Sequence, residues 1–197
     1  MKVGLAFAAA LAAAVFGLSQ ARAAEMIFTE TTTAHGSLNG VNFNNLVTIT
    51  GEADTNDIYS PFAGAYRDNL YVTVTVQGLG TAHLTDEMYV VSNQNNHDAG
   101  FIDLTQGGNG LLFTAGIDNS GYDLSTPFGP VTGIAGIGNP QIYATDQGNF
   151  ILSGPPRSTT FQAMLAPVPE SSTWLLMTGG LGLLGAVLRR RRTLALV

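Results

Sequence analysis

The sequence contains no cysteine, which excludes a disulfide framework, a zinc–thiolate site and a thiol nucleophile. Basic residues are almost as scarce in its middle: between Ala24 and Val168 only Arg67 and Arg157 are basic, against thirteen Asp and Glu. Phosphate binding depends on Lys and Arg neutralising a polyanion, so that segment is excluded as a partner of nucleic acid or anionic lipid. It also lacks any sustained i, i+3, i+4, i+7 apolar spacing, which removes the basis for an amphipathic helix. Signatures of catalysis are missing too, with no G-x-S-x-G, H-E-x-x-H or Walker A pattern. No motif asks for a cofactor. His35, His83 and His97 lie too far apart along the chain to define a site.

What is present is concentrated at the ends. A length of 197 residues suits one ordinary domain with targeting segments, and the 45% hydrophobic content is inflated by both termini. Lys2 followed by the apolar run Val3 to Leu18 and by Ala21-Arg22-Ala23 has the three parts of a secretory signal peptide, residues 1–23. Cleavage after Ala23 would start the mature chain at Ala24, with signal peptidase and the export machinery as partners.

Residues 24–166 predict an all-β exported domain. In "YVTVTVQG" Val72, Val74 and Val76 alternate with Tyr71, Thr73 and Thr75, the period of a half-buried strand. "NLVTITG", "MYVV", "LLFTAG", "QIYAT", "NFILSG" and "TTFQAML" have similar length and enrichment. Gly, Asn, Asp and Pro punctuate them, as at Asn39-Gly40 and Asn119-Ser120-Gly121. The expectation is a single β-sandwich rather than a closed barrel, with a core of Phe28, Leu46, Ile49, Val72, Val74, Val76, Val90, Phe101, Leu112, Phe113, Ile142, Phe150, Leu152 and Phe161. "SGPPRSTT" reads as a linker or as the turn before a last strand.

Few residues in this domain suggest chemistry. Asp54, Asn56 and Asp57 in "GEADTNDIY" offer oxygen ligands of the kind calcium takes, but Ile58 occupies a ligand position and no Glu closes the loop, so an Asx-rich turn is the plainer reading. His97-Asp98 is the nearest approach to a base with an orienting carboxylate, in a stretch whose composition suits a surface turn. "GGNGLL" has the glycine spacing of a calcium β-roll, once and without its Asp. Tyr59, Phe62, Tyr66, Tyr122, Phe128 and Tyr143 lie in or near Gly/Pro-rich connections, where exposed aromatics could form a sugar platform. Carboxylate pairs such as Asp86-Glu87 are too abundant to be informative.

The C-terminal segment, residues 167–197, is the most specific part of the chain. Trp174 to Leu188 is an uncharged apolar stretch, about 22 Å of helix at ~1.5 Å per residue. That is somewhat short of a hydrocarbon core near ~30 Å, a mismatch that thinning and snorkelling arginines accommodate. Trp174 stands where an interfacial aromatic belongs. Arg189, Arg190, Arg191 and Arg192 would stay cytoplasmic, which puts the β domain on the far side of the inner membrane.

"VPESSTWLLMTGGLGLLGAVLRRRR" resembles the PEP-CTERM sorting signal, with a motif at 168–173, a transmembrane helix at 174–188 and an arginine cluster at 189–192. Pro169-Glu170 match the family's motif and "STW" follows, while Ser171 stands where a second proline is usual and Thr193 to Val197 run past the arginines. "GSLNGVNFNNLVTITGEADTNDI" is similar to a pattern in uncharacterised exported proteins with the same tail. The resemblance implies recognition at Val168, Pro169, Glu170 and Ser171 by an exosortase, a membrane-embedded cysteine protease-transpeptidase of Gram-negative bacteria. It further implies a single-pass inner-membrane intermediate, a final place in the envelope, cell surface or extracellular matrix, and exopolysaccharide as a partner. The expected function is therefore that of a non-catalytic exported surface or matrix protein, with a glycan-binding or glycan-hydrolysing domain as the alternative.

Overall fold

The computed structural model describes residues 25–104, 109–138, 142–154 and 156–167. The chain divides into two units, Met1–Ala166 and Pro167–Val197, and all twelve strands belong to the first. The signal peptide with Ala21, Ala23 and Ala24, and residues 168–197 with the sorting motif, apolar stretch and arginines, lie outside the described residues. Among the described residues there is no helix.

Two long strands organise the fold. β1 (Glu25–Leu38) and β2 (Val41–Asp54) pair along their whole length, from Glu25 opposite Asp54 to Leu38 opposite Val41. Asn39 (φ 54°) and Gly40 (φ 78°) join them in the left-handed conformations that two-residue hairpin turns require. The remaining strands are β3 (Tyr59–Phe62), β4 (Ala65–Val76), β5 (Gly80–His83), β6 (Met88–Asn93), β7 (Asp98–Asp103), β8 (Asn109–Ala115), β9 (Phe128–Gly136), β10 (Ile142–Thr145), β11 (Gly148–Leu152) and β12 (Ser158–Leu165).

Pairing follows the order β1-β12-β9-β8-β7-β6-β4-β2 and returns to β1, all antiparallel. The all-β class is as expected, but this is an eight-stranded closed barrel and the sandwich expectation is corrected. The cause is one pairing: Met26 to Thr31 of β1 lie opposite Leu165 to Thr160 of β12, so the first and last strands seal the sheet. Closure gives each of the eight strands a neighbour on both sides over at least part of its length, whereas each sheet of a sandwich keeps two edge strands.

The interior is built by alternation. Phe28, Ile49, Val72, Val74, Val76, Val90, Phe101, Leu112 and Phe161 are all buried, each burial stabilising the fold by roughly 1.5–3 kcal/mol for a side chain of this size. Phe28 and Phe161, from the two strands of the closing pair, stack with ring centroids 6.4 Å apart. Three expected core residues face outward instead. Leu46 is 42% exposed and Ile142 58%, and Phe113 lies on the outer face between the inward-facing Leu112 and Thr114. Each is apolar but falls on the outward step of its strand, where the pleat overrides side-chain type.

A second, smaller ring branches from the barrel. Beyond Thr31, β1 exchanges β12 for β11, with Gly36 to Leu38 opposite Leu152 to Phe150; beyond Leu70, β4 exchanges β6 for β5. β11 carries β10, and a single bridge between Leu84 and Thr145 connects β10 to the end of β5. Thr85 N donates to Ala144 O and Asp146 N to His83 O across this junction. Phe43 and Phe150 stack inside the ring at 6.1 Å and 4°, with Leu38, Tyr143 and Leu152 buried in the same core.

Candidate functional site

The calcium-like sequence Asp54, Asn56, Asp57 forms the turn after β2. Asn56 N donates to Asp54 Oδ1 at 2.9 Å and Asp57 N to Asp54 O at 2.9 Å. This is the Asx turn that the composition suggested, with a carboxylate oxygen already engaged by its own backbone. Among the described residues no group of three or more His, Asp or Glu is placed to hold a metal ion. Electrostatically the turn acts on Asp68 of β4, which is buried, with the backbone N–H of Asn69 as the one group that favours its charge. Burial first, then the charges of Asp57 and Asp54, push the Asp68 carboxyl up to about 6.

The three histidines remain apart, on β1 (His35), at the end of β5 (His83) and in the β6–β7 loop (His97). His97 takes a left-handed conformation (φ 57°) and its carbonyl accepts from Ile117 N at 3.1 Å. Asp98 opens β7, and burial raises its carboxyl while the Asn96 side chain and His97 pull it back. His83 borders a cleft of about 610 Å³ on the outer face with Glu52, Asp54, Asp57 and Tyr71. Tyr71 is 91% exposed there.

Of the aromatics singled out in the sequence, Tyr122 and Tyr143 are buried core residues. Phe128 stacks on Tyr122 at 4.3 Å. Tyr66 packs partly buried against the core. Tyr59 and Phe62 are exposed. Tyr59 meets Tyr89 edge-on at 6.4 Å, and Tyr89 donates to Glu87 Oε1 at 2.5 Å.

The structure assembles a second concavity that the sequence did not disclose. A groove of about 210 Å³ on the outer face is lined by Phe62, Arg67, Asn93, Asn96, Asp98 and Phe113, among others. Phe113 lies in register between Gly100 of β7 and Gly136 of β9. A Cβ at Gly110 would fall 2.6 Å from its ring, and one at Gly136 would overlap it. The ring therefore lies down across the sheet over backbone that only glycine leaves bare. The glycines were visible in the sequence, but their convergence under one ring depends on register.

The loops bordering the groove are tied together. Asn95 Nδ2 donates to Ala63 O at 2.9 Å, and Gln94 N to Gly64 O at 2.7 Å, joining the β6–β7 loop to the β3–β4 turn. Asn93 Oδ1 accepts from Asn95 N and Asn96 N at 3.1 and 3.3 Å. Beneath, Asn119 Nδ2 donates to Ser92 Oγ and Asp98 O, and Ser92 Oγ to Tyr122 O. In comparisons with known proteins, no family model, curated protein or solved structure matches the chain.

Proposed function

We propose that the chain is an exported, non-catalytic protein of the cell envelope or extracellular matrix, held at the inner membrane by its C-terminal segment. Release occurs at Val168-Pro169-Glu170-Ser171 by an exosortase-type transpeptidase. The three-part order of the tail motivates this reading, and one observation in the fold supports it. Ala166 N donates to Glu25 O at 2.8 Å, directly after β12. Both ends of the barrel thus leave from one rim, and a cut past Val168 would sever the tail without opening any strand pair.

Intact mass spectrometry of protein recovered from membranes and medium tests the proposal at both ends. The expected product starts at Ala24 and ends between Val168 and Ser172. Pro169→Ala and Glu170→Ala are expected to accumulate the full-length membrane form with an unchanged melting temperature. Wild-type protein that keeps Arg189 to Arg192 in every fraction of an exosortase-containing host would sink the reading.

A further inference from the structure

The groove on the outer face has a composition and a rigidity that point to a ligand. Its floor is the flat ring of Phe113, and Phe62, 52% exposed, stands at its border. Arg67 supplies a fork of donors, Asn93 and Asn96 supply amides, and Asp98 supplies a carboxylate acceptor. The Asx turn of Asn93 and the Asn95 tie to Ala63 hold these loops in place before any ligand arrives, which lowers the ordering cost of binding.

Size and charge narrow the ligand. A volume of about 210 Å³ lies below the roughly 300–1,000 Å³ of pockets for drug-sized molecules and suits one small ring. A flat apolar face bordered by both donors and acceptors matches a pyranose, whose C–H face is apolar and whose rim carries hydroxyls. Arg67 and Asp98 line the same groove with opposite formal charges, and thirteen acidic residues against two basic ones between Ala24 and Val168 repel an anionic polymer. We propose that this groove binds one neutral hexopyranose unit, its C–H face on Phe113 and Phe62 and its hydroxyls on Arg67, Asn93, Asn96 and Asp98.

Ligand-observed saturation-transfer NMR on the full chain tests this, in a zwitterionic detergent without a sugar headgroup. The probes are methyl glycosides of glucose, galactose, mannose and N-acetylglucosamine, with glucuronate and galacturonate as anionic counterparts. At least one neutral glycoside is expected to be saturated at its ring C–H protons. Phe62→Ala and Asn96→Ala, at exposed positions, and Arg67→Gln, at a half-buried one, are each expected to weaken binding about tenfold or more with an unchanged melting temperature. The proposal is overturned if no neutral glycoside is saturated, if the three variants bind as the wild type does, or if the uronates bind more tightly. None of these readouts depends on whether the tail is processed.

Discussion

Glu30 sits inside the barrel with no exposed surface. Thr114 Oγ1 donates to its Oε1 at 2.8 Å, while Oε2 has no hydrogen-bond partner. Burial pushes its carboxyl well above the usual range, outweighing the neighbouring Thr114 and Thr159 hydroxyls that lower it. The folded state holds a proton that the unfolded chain releases near the ordinary value of 4.5. Stability is therefore full below that pH and falls as pH rises toward the folded pKa. Glu30→Gln, which keeps an acceptor for Thr114, is expected to flatten the profile and recover on the order of 1–3 kcal/mol at pH 8; urea melts at pH 4.5 and pH 8 measure it. Asp68 behaves alike over a window from 3.8 to about 6. Part of that rise comes from Asp57, so Asp57→Asn is expected to move the Asp68 titration downward, which carboxyl-carbon NMR would follow. An unmoved Asp68 would mean that the charge of Asp57 has no part in setting its proton affinity.

At the scale of elements, the smaller ring depends on a junction of one bridge and a few side chains. Asp146 Oδ1 accepts from His83 N at 2.9 Å, and Asp86 Oδ2 from Ala144 N at 3.1 Å. Asp146→Ala is expected to cost about 1 kcal/mol locally and to speed hydrogen exchange at the amides of β5 and β10. Exchange in β6 and β7 should not change, because those strands have full ladders on both edges. Each of the seven stretches expected from apolar alternation overlaps a strand among the described residues, and the reason β1 was not among them is specific. After Phe28 its inward positions are Glu30, Thr32, Ala34 and Gly36, so polar and small residues stand where alternation would show apolar ones. β7 hides its period differently: the β8 backbone at Leu112 and Phe113 crowds Gly100, and both faces of the strand are buried. The groove was illegible for a third reason, since Phe62, Arg67, Asn93, Asp98 and Phe113 come from segments that only the barrel's register brings together. The turn at Asp54 and the hairpin turn at Asn39-Gly40 were readable because their chemistry is local.

For the whole molecule, the decisive feature is the pairing of β1 with β12. It places Glu25 and Ala166 within hydrogen-bonding distance. A circular permutant joining them through a short Gly/Ser linker, with new ends in the exposed turn at Gln77–Leu79, is expected to fold within about 1–2 kcal/mol of the parent sequence. A permutant that fails to melt cooperatively would contradict the closed arrangement. The same pairing sets a timetable during synthesis. β1 is made first and β12 last, so one side of the hairpin waits unlatched until nearly every other strand has been made, a delay characteristic of folds built on long-range contacts. Through that interval the waiting edge runs from Met26 to Thr31 and carries the Glu30 carboxylate. Charge on an open edge discourages a second copy from adding as a strand. Glu30, costly to bury in the finished barrel, is thus expected to discourage strand addition in the nascent one, its affinity for a proton rising as β12 closes over it.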